Sequence, residues 1–212
     1  LDPSFSIANR NAGFGEGVKG HWEEAIAYYD RAIEANPEDA LLLTESDKLY
    51  EQANRPFDQR LKRLEKRMKT VLKHDDAVMR LLTLYNWAGQ YDKAIRILDN
   101  RHFHLWEGGG QVHDIYVDSH ALKGLKLLTG KQYAKAIQEF DLAGQYPVNL
   151  EVAPPTHGGY TAKLAYLSGL ACEGQGKTAE AKAFFEQSAQ AEVRGGLSDL
   201  GYYKARALAK LG

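Results

Sequence analysis

Four times along the chain a large apolar side chain follows an alanine by one helical turn: Ala25 then Tyr29, Ala94 then Leu98, Ala136 then Phe140, Ala181 then Phe185. In the first instance Trp22, Ala25, Tyr29 and Ala32 all fall three or four residues apart, which places them on one face of a helix. The alanines let a second helix approach closely, and the rings fill the gaps beside them. Glu23, Glu24, Asp30 and Arg31 lie off that face. Asn36-Pro37 ends the helix, because a residue preceding proline is pushed out of the αR region. A helix this short cannot bury its apolar face alone. It needs a neighbour of its own kind, and the chain supplies several.

The spacing predicts a first helix and a partner, again and again. Helices are expected over 7–19 and 20–37, the former weakened by Gly13, Gly15 and Gly17. A helix over 40–53 and one continuous helix from Pro56 to about residue 73 follow, the second on Leu61, Leu64, Met68, Val71 and Leu72. Then come 77–88 with 91–102, 117–128 with the helix carrying Tyr133 to Ala143, and 162–175 with the helix carrying Ala181 to Ser188. Gly13, Leu82, Gly124 and Gly169 occupy equivalent places in the first helices, where two helices are expected to cross closely. Ala136 is assigned to the helix contact and Glu139 to solvent. Residues 200–211 read as the first helix of one more pair.

This pattern resembles the tetratricopeptide repeat (TPR), a helix-turn-helix unit of about 34 residues. The match weakens at 40–73, where Gln59 and Arg63 stand in place of a small residue and an aromatic. The resemblance implies an all-α fold: a right-handed superhelical solenoid of antiparallel helix pairs, with about five repeats and a terminal helix, forming one domain over 1–212. Both ends fall inside the pattern, so a piece of a longer protein is expected, with 200–211 as a cap.

Two stretches break the period, 101–114 (RHFHLWEGGGQVHD) and 146–159 (YPVNLEVAPPTHGG). Both follow the second helix of a pair, in adjacent pairs, so the two should meet on one edge. Inserted loops on one edge are where repeat proteins commonly bind. The candidate binding residues are therefore Phe103, His104, Trp106, Glu107 and His113 in the first, and Tyr146, Asn149 and His157 in the second. Trp106 is expected to lie against the second loop, near Tyr146 or Leu150. FHLWEGG followed by YPVNL also resembles the C-terminal repeat region of a family of large bacterial proteins that carry an upstream β-rich domain of unknown function. Phe103, His104, Trp106, Glu107, Gly108, Gly109, Tyr146, Pro147, Asn149 and Leu150 carry that resemblance, and Gly110 departs from it where a second acidic residue belongs.

Other classes find little footing. Charges nearly balance, 27 basic against 28 acidic, so no global field draws the chain to nucleic acid or membrane. No apolar run reaches the length of a membrane span. A single cysteine, Cys172, rules out an internal disulfide and fits a reducing compartment, which favours the cytoplasm. His102, His104 and His113 invite a metal, and histidines two apart share one only in extended chain. Without Cys or an HExxH motif beside them, a surface or hydrogen-bonding role is expected, and no metal or cofactor. Glycoside hydrolysis needs two facing carboxylates, and near Glu107 only Asp114 and Glu151 are candidates. Arg60, Lys62, Arg63, Lys66, Arg67, Lys69 and Lys73 are read as a solvated face or a docking surface for an acidic partner. Met79, Thr83, Ala121, Leu125, Tyr166 and Leu170 make the inward positions apolar, which argues against a carboxylate clamp. The sequence reads as a non-catalytic scaffold that holds a protein or a neighbouring domain of the same chain. The alternative is an accessory repeat domain of a carbohydrate-active enzyme, loops 101–114 and 146–159 completing a sugar site.

Overall fold

The computed structural model describes residues 5–104, 111–156, 158–193 and 199–212. Among them there are twelve α-helices, one 3-10 turn and no strand. None of these helices is long and apolar enough to cross a membrane. Contacts divide the chain into two compact units, Leu1–Gln90 and Tyr91–Gly212.

The first unit contains α1 (Ser6–Val18), α2 (Trp22–Ala35), α3 (Ala40–Gln52), α4 (Phe57–Lys66), α5 (Met68–Val71) and α6 (Asp75–Trp87). Of the face predicted for α2, Ala25, Tyr29 and Ala32 lie in the core, joined there by Ile26 and Ile33, while Trp22 is only half-buried. The Asp39 carboxylate caps α3, accepting from the N–H groups of Leu41 and Leu42. The continuous helix expected to residue 73 is instead broken. Arg67, at φ −116° and ψ 31°, leaves helical geometry and separates α4 from α5. The break turns Thr70 and Val71 into the core, where the Thr70 hydroxyl donates to the Pro37 carbonyl at 3.1 Å.

The basic α4 is also not a uniformly wet face. Arg60 is buried and bidentate on Asp47, with Nε and Nη2 each 2.9 Å from a carboxylate oxygen. Arg80 of α6 reaches the same carboxylate at 2.6 Å, and Glu51 accepts from both arginines. Arg63 bonds Asp30, Ser46 and the Tyr50 hydroxyl, with its guanidinium 3.9 Å over the Tyr50 ring. Where the repeat departs from its small-and-aromatic pattern, an ion-pair network thus occupies the helix interface. Periodicity alone cannot show this, because the partners come from α2, α3 and α6.

The second unit contains α7 (Tyr91–Asn100), α8 (Gln111–Thr129), α9 (Tyr133–Ala143), the 3-10 turn Val148–Leu150, α10 (Thr161–Gly174), α11 (Thr178–Gln190) and α12 (Asp199–Leu211). Its core runs from Ala136 and Phe140 through Tyr166, Leu167, Ala171 and Cys172 to Ala181, Phe185 and Ala207. The α9 helix packs on both α8 and α10, and α11 on both α10 and α12, as a stack of pairs requires. Gly124 and Gly169 lie where the sequence places close crossings. A Cβ on Gly169 would sit 2.6 Å from a ring carbon of Phe185, and one on Gly124 closer still to Phe140. Gly13 faces Tyr29 in the same way in the first unit. Each of the three glycines meets the ring sixteen residues ahead.

Two expectations change here. α8 begins at Gln111, six residues before the predicted 117, so His113 and Asp114 are helical rather than part of a loop. Glu139, assigned to solvent, is mostly covered. It accepts from His120 Nδ1 at 2.7 Å and Lys123 Nζ at 2.8 Å, both on α8. His120 is itself buried, so its ring N–H needs that acceptor.

Candidate functional site

The two interruptions of the repeat meet. Residues 101–104 run alongside the Val148–Leu150 turn, and the Phe103 N–H donates to the Asn149 carbonyl at 2.8 Å. The Asn149 side-chain amide donates to the Leu98 and Arg101 carbonyls, 2.7 Å each. Leu98 lies in the last turn of α7, where helical carbonyls lack intrahelical partners, so Asn149 both ends that helix and ties the second interruption to it. Phe103 and Leu150 are fully buried. Asn149 and Phe103, predicted as binding groups, therefore act as the splice between the two stretches, and Phe103 offers no ring face to a ligand.

His113 stands in the first turn of α8 and its ring stacks on Tyr146, with centroids 3.9 Å apart and planes 12° from parallel. Its Nε2 faces the Gln145 carbonyl at 3.0 Å, an acceptor that requires the proton on Nε2. Tyr160 donates its hydroxyl to Asp114 at 2.7 Å. Burial, then the Asp114 carboxylate, pushes the Tyr160 phenol upward, and burial followed by Asp114 raises that of Tyr146. Both stay neutral and present ring surface. Gly158 and Gly159 have φ of 81° and 82°, a left-handed pair that few other residues would accept. Pro155 lies against that turn, its Cγ 3.4 Å from where a Cβ on Gly159 would stand. His113, Tyr146, Pro154, Pro155 and Tyr160 wall a cavity of about 370 Å³ that opens beside Thr161, the first residue of α10.

His102 and His104 flank Phe103 and face Glu151. His102 Nε2 is 2.6 Å from Glu151 Oε1, and His104 Nδ1 is 3.6 Å from the same oxygen. Trp106, Glu107 and His157 lie outside the described residues, and so does the expected contact of Trp106 with the second loop. Tyr160 and Gln145 were not foreseen. Each matters only through a partner more than thirty residues away in sequence, a relation no local pattern carries. Cys172 is buried, and burial followed by Glu180 raises its thiol, so it is not poised as a nucleophile.

Helix pairs joined at a small-residue-to-ring contact, with a left-handed turn glycine such as Gly20 or Gly176 between the members, define the tetratricopeptide-repeat type of fold. The sequence profile of the tetratricopeptide repeat matches residues 19–39 and 162–192. Among solved structures, the chain is similar to MamA, at 18% identity over 90% of this chain and 92% of that one, with a TM-score of 0.58. It is similar to YrrB, described as a TPR protein with an unusual peptide-binding site, at 15% identity over 99% and 93%, TM-score 0.58. A MamA from Desulfovibrio magneticus RS-1 matches at 17% identity over 89% and 94%, TM-score 0.53. At such identities the likeness establishes the fold.

Proposed function

We propose that this chain is a non-catalytic binding scaffold whose binding edge is the joined pair of interruptions in the second unit, and that it holds a peptide segment of a protein partner or of a neighbouring domain in the same chain. The observation that carries this reading is the aromatic- and proline-walled cavity beside α10. Its polar tips are already spent on structure, His113 on Gln145 and Tyr160 on Asp114. What remains for an occupant is ring and proline surface beside the polar side chains of Asp141, Thr161, Ser168 and Gln187, which suits a peptide that offers an apolar side chain and backbone N–H and C=O groups together. The peptide-binding site ascribed to YrrB supports a peptide as the class of occupant. The resemblance of FHLWEGG and YPVNL to repeat regions that follow a β-rich domain supports a domain of the same chain as its source. No described residue favours the carbohydrate alternative specifically.

The test is Thr161→Trp, which places an indole at the cavity mouth from an exposed position. Peptides selected on the wild-type chain should bind the variant about tenfold or more weakly, a loss of about 1.4 kcal/mol, with the melting temperature kept. Unchanged affinity would refute the assignment. Selection of glycans rather than peptides by the wild type would move the function to the carbohydrate reading.

A further inference from the structure

Among the described residues, His102, His104 and Glu151 bring one ligand atom each to within 4.8 Å of one another. We propose that these three side chains bind a divalent transition-metal ion of the zinc type, through two imidazoles and one carboxylate, with at least one coordination position left open. The proposal does not depend on what the scaffold holds.

The backbone presents these donors in a fixed arrangement. Along an extended stretch successive side chains alternate sides. Phe103 points inward and is fully buried, so His102 and His104 point outward together, their ring centroids 4.9 Å apart. Glu151 comes from the second interruption. It follows the Val148–Leu150 turn with φ 53°, a left-handed conformation uncommon for a residue with a side chain, and its N–H donates to the Val148 carbonyl at 3.1 Å. Two residues earlier, the Asn149 amide locks that turn to the Leu98 and Arg101 carbonyls. The same splice that joins the interruptions therefore sets the carboxylate against the two rings, and little ordering is left for the ion to impose.

The distances fit. Tetrahedral zinc sits about 2.0–2.1 Å from nitrogen and oxygen ligands, which puts donor atoms about 3.3 Å from one another. The Glu151 oxygen lies 2.6 Å from His102 and 3.6 Å from His104, on either side of that value. All three side chains are exposed, so small χ rotations can close the triangle without disturbing the core. Two imidazoles with one carboxylate select zinc, nickel or copper over calcium and magnesium, which take oxygen ligands. Two histidines and a glutamate are also a donor set that leaves zinc a fourth position for water or an incoming ligand. Bound there, the ion would cross-link residues 102–104 to the turn after α9 and present an open site on the binding edge.

Zinc chloride titrated calorimetrically into the whole chain, purified without a histidine tag, should show one equivalent bound with a micromolar or tighter dissociation constant. His104→Ala and Glu151→Gln should each weaken binding about tenfold or more. The exposed His21→Ala should leave it unchanged. Zinc should raise the melting temperature of the wild type alone, while the metal-free melting temperatures of wild type and variants agree. Cobalt should give visible ligand-field bands in the wild type that are lost in Glu151→Gln. Absence of binding would overturn the proposal, and so would zinc binding that persists in the double variant His102→Ala/His104→Ala.

Discussion

Asp47→Asn probes the least expected part of the interior. Asp47 and Arg60 have side chains 3% and 4% exposed, so this is a buried ion pair. Asp47 accepts two bonds from Arg60 and one from Arg80, while Glu51, 40% exposed, takes the remaining bonds at the rim. The four groups balance in charge. Asparagine keeps the shape, yet it removes the negative charge and turns an amide N–H₂ towards a guanidinium that has only N–H groups to offer. Breaking a buried pair by removing one member destabilises by about 3–5 kcal/mol, mostly because the surviving charge stays desolvated. Arg60 cannot escape by losing its proton. In the wild type burial opposes its charge, but the bonds to Asp47 and then Glu51 hold its pKa above the ordinary arginine value, and even without the Asp47 charge a guanidinium stays protonated at neutral pH. For a unit of this size, each kcal/mol corresponds to about 4–8 °C in melting temperature, so a drop of more than about 12 °C is expected. Thermal melts followed by tryptophan fluorescence measure that drop and urea titration the free energy behind it, since Trp22 and Trp87 both lie in the first unit and the Arg60 guanidinium sits 5.5 Å over the Trp87 ring. The exposed pair Lys62–Asp58, 3.7 Å apart, supplies the control, and Asp58→Asn should change stability by less than about 1 kcal/mol. If Asp47→Asn costs no more than that control, the network is no stronger than a surface pair and the reasoning fails.

Gly124→Leu and Gly169→Leu should each destabilise by about 1–3 kcal/mol, because the fully buried Phe140 and the buried Phe185 cannot swing away from the added carbons; denaturant midpoints at those of the wild type would contradict the close crossings. Ala136→Glu should exceed the usual 0.5–3 kcal/mol for a single substitution by placing a carboxylate in the core, whereas Glu139→Ala should itself cost about 1–3 kcal/mol by leaving buried His120 without its acceptor. Circular-dichroism melts of the two variants rank them, and a neutral Glu139→Ala would count against the His120 bond. Burial, then Glu45, Glu65 and Asp99 respectively, pushes the phenols of Tyr29, Tyr85 and Tyr116 up to about 12. A folded-state value raised above the unfolded one near 10 leaves stability intact below about pH 10 and removes it as pH climbs towards 12. Tyrosinate absorbance should therefore show a late-titrating class whose ionisation coincides with unfolding, and a single titration near pH 10 with the fold retained would refute it.

The chain's local periodicity was enough to establish the helix pairs, the buried face of α2 and the glycine crossings. Those features rest on residues three or four apart on one helix, and on a fixed sixteen-residue offset between a glycine and its ring. The meeting of the two interruptions was also legible, since each follows a second helix in adjacent pairs. Stacking decided the rest. Arg60 and Glu139 look like surface charges on their own helices, and only the neighbouring helices, bringing Asp47 and His120, make them interior. Asn149 and Phe103 look like exposed loop groups, yet backbone carbonyls left open at the end of α7 draw the amide inward, and the ring follows. Glu151 becomes a possible metal ligand for the same reason. Its place beside His102 and His104 depends on that splice and on one left-handed residue, a three-dimensional relation that no spacing along the chain encodes.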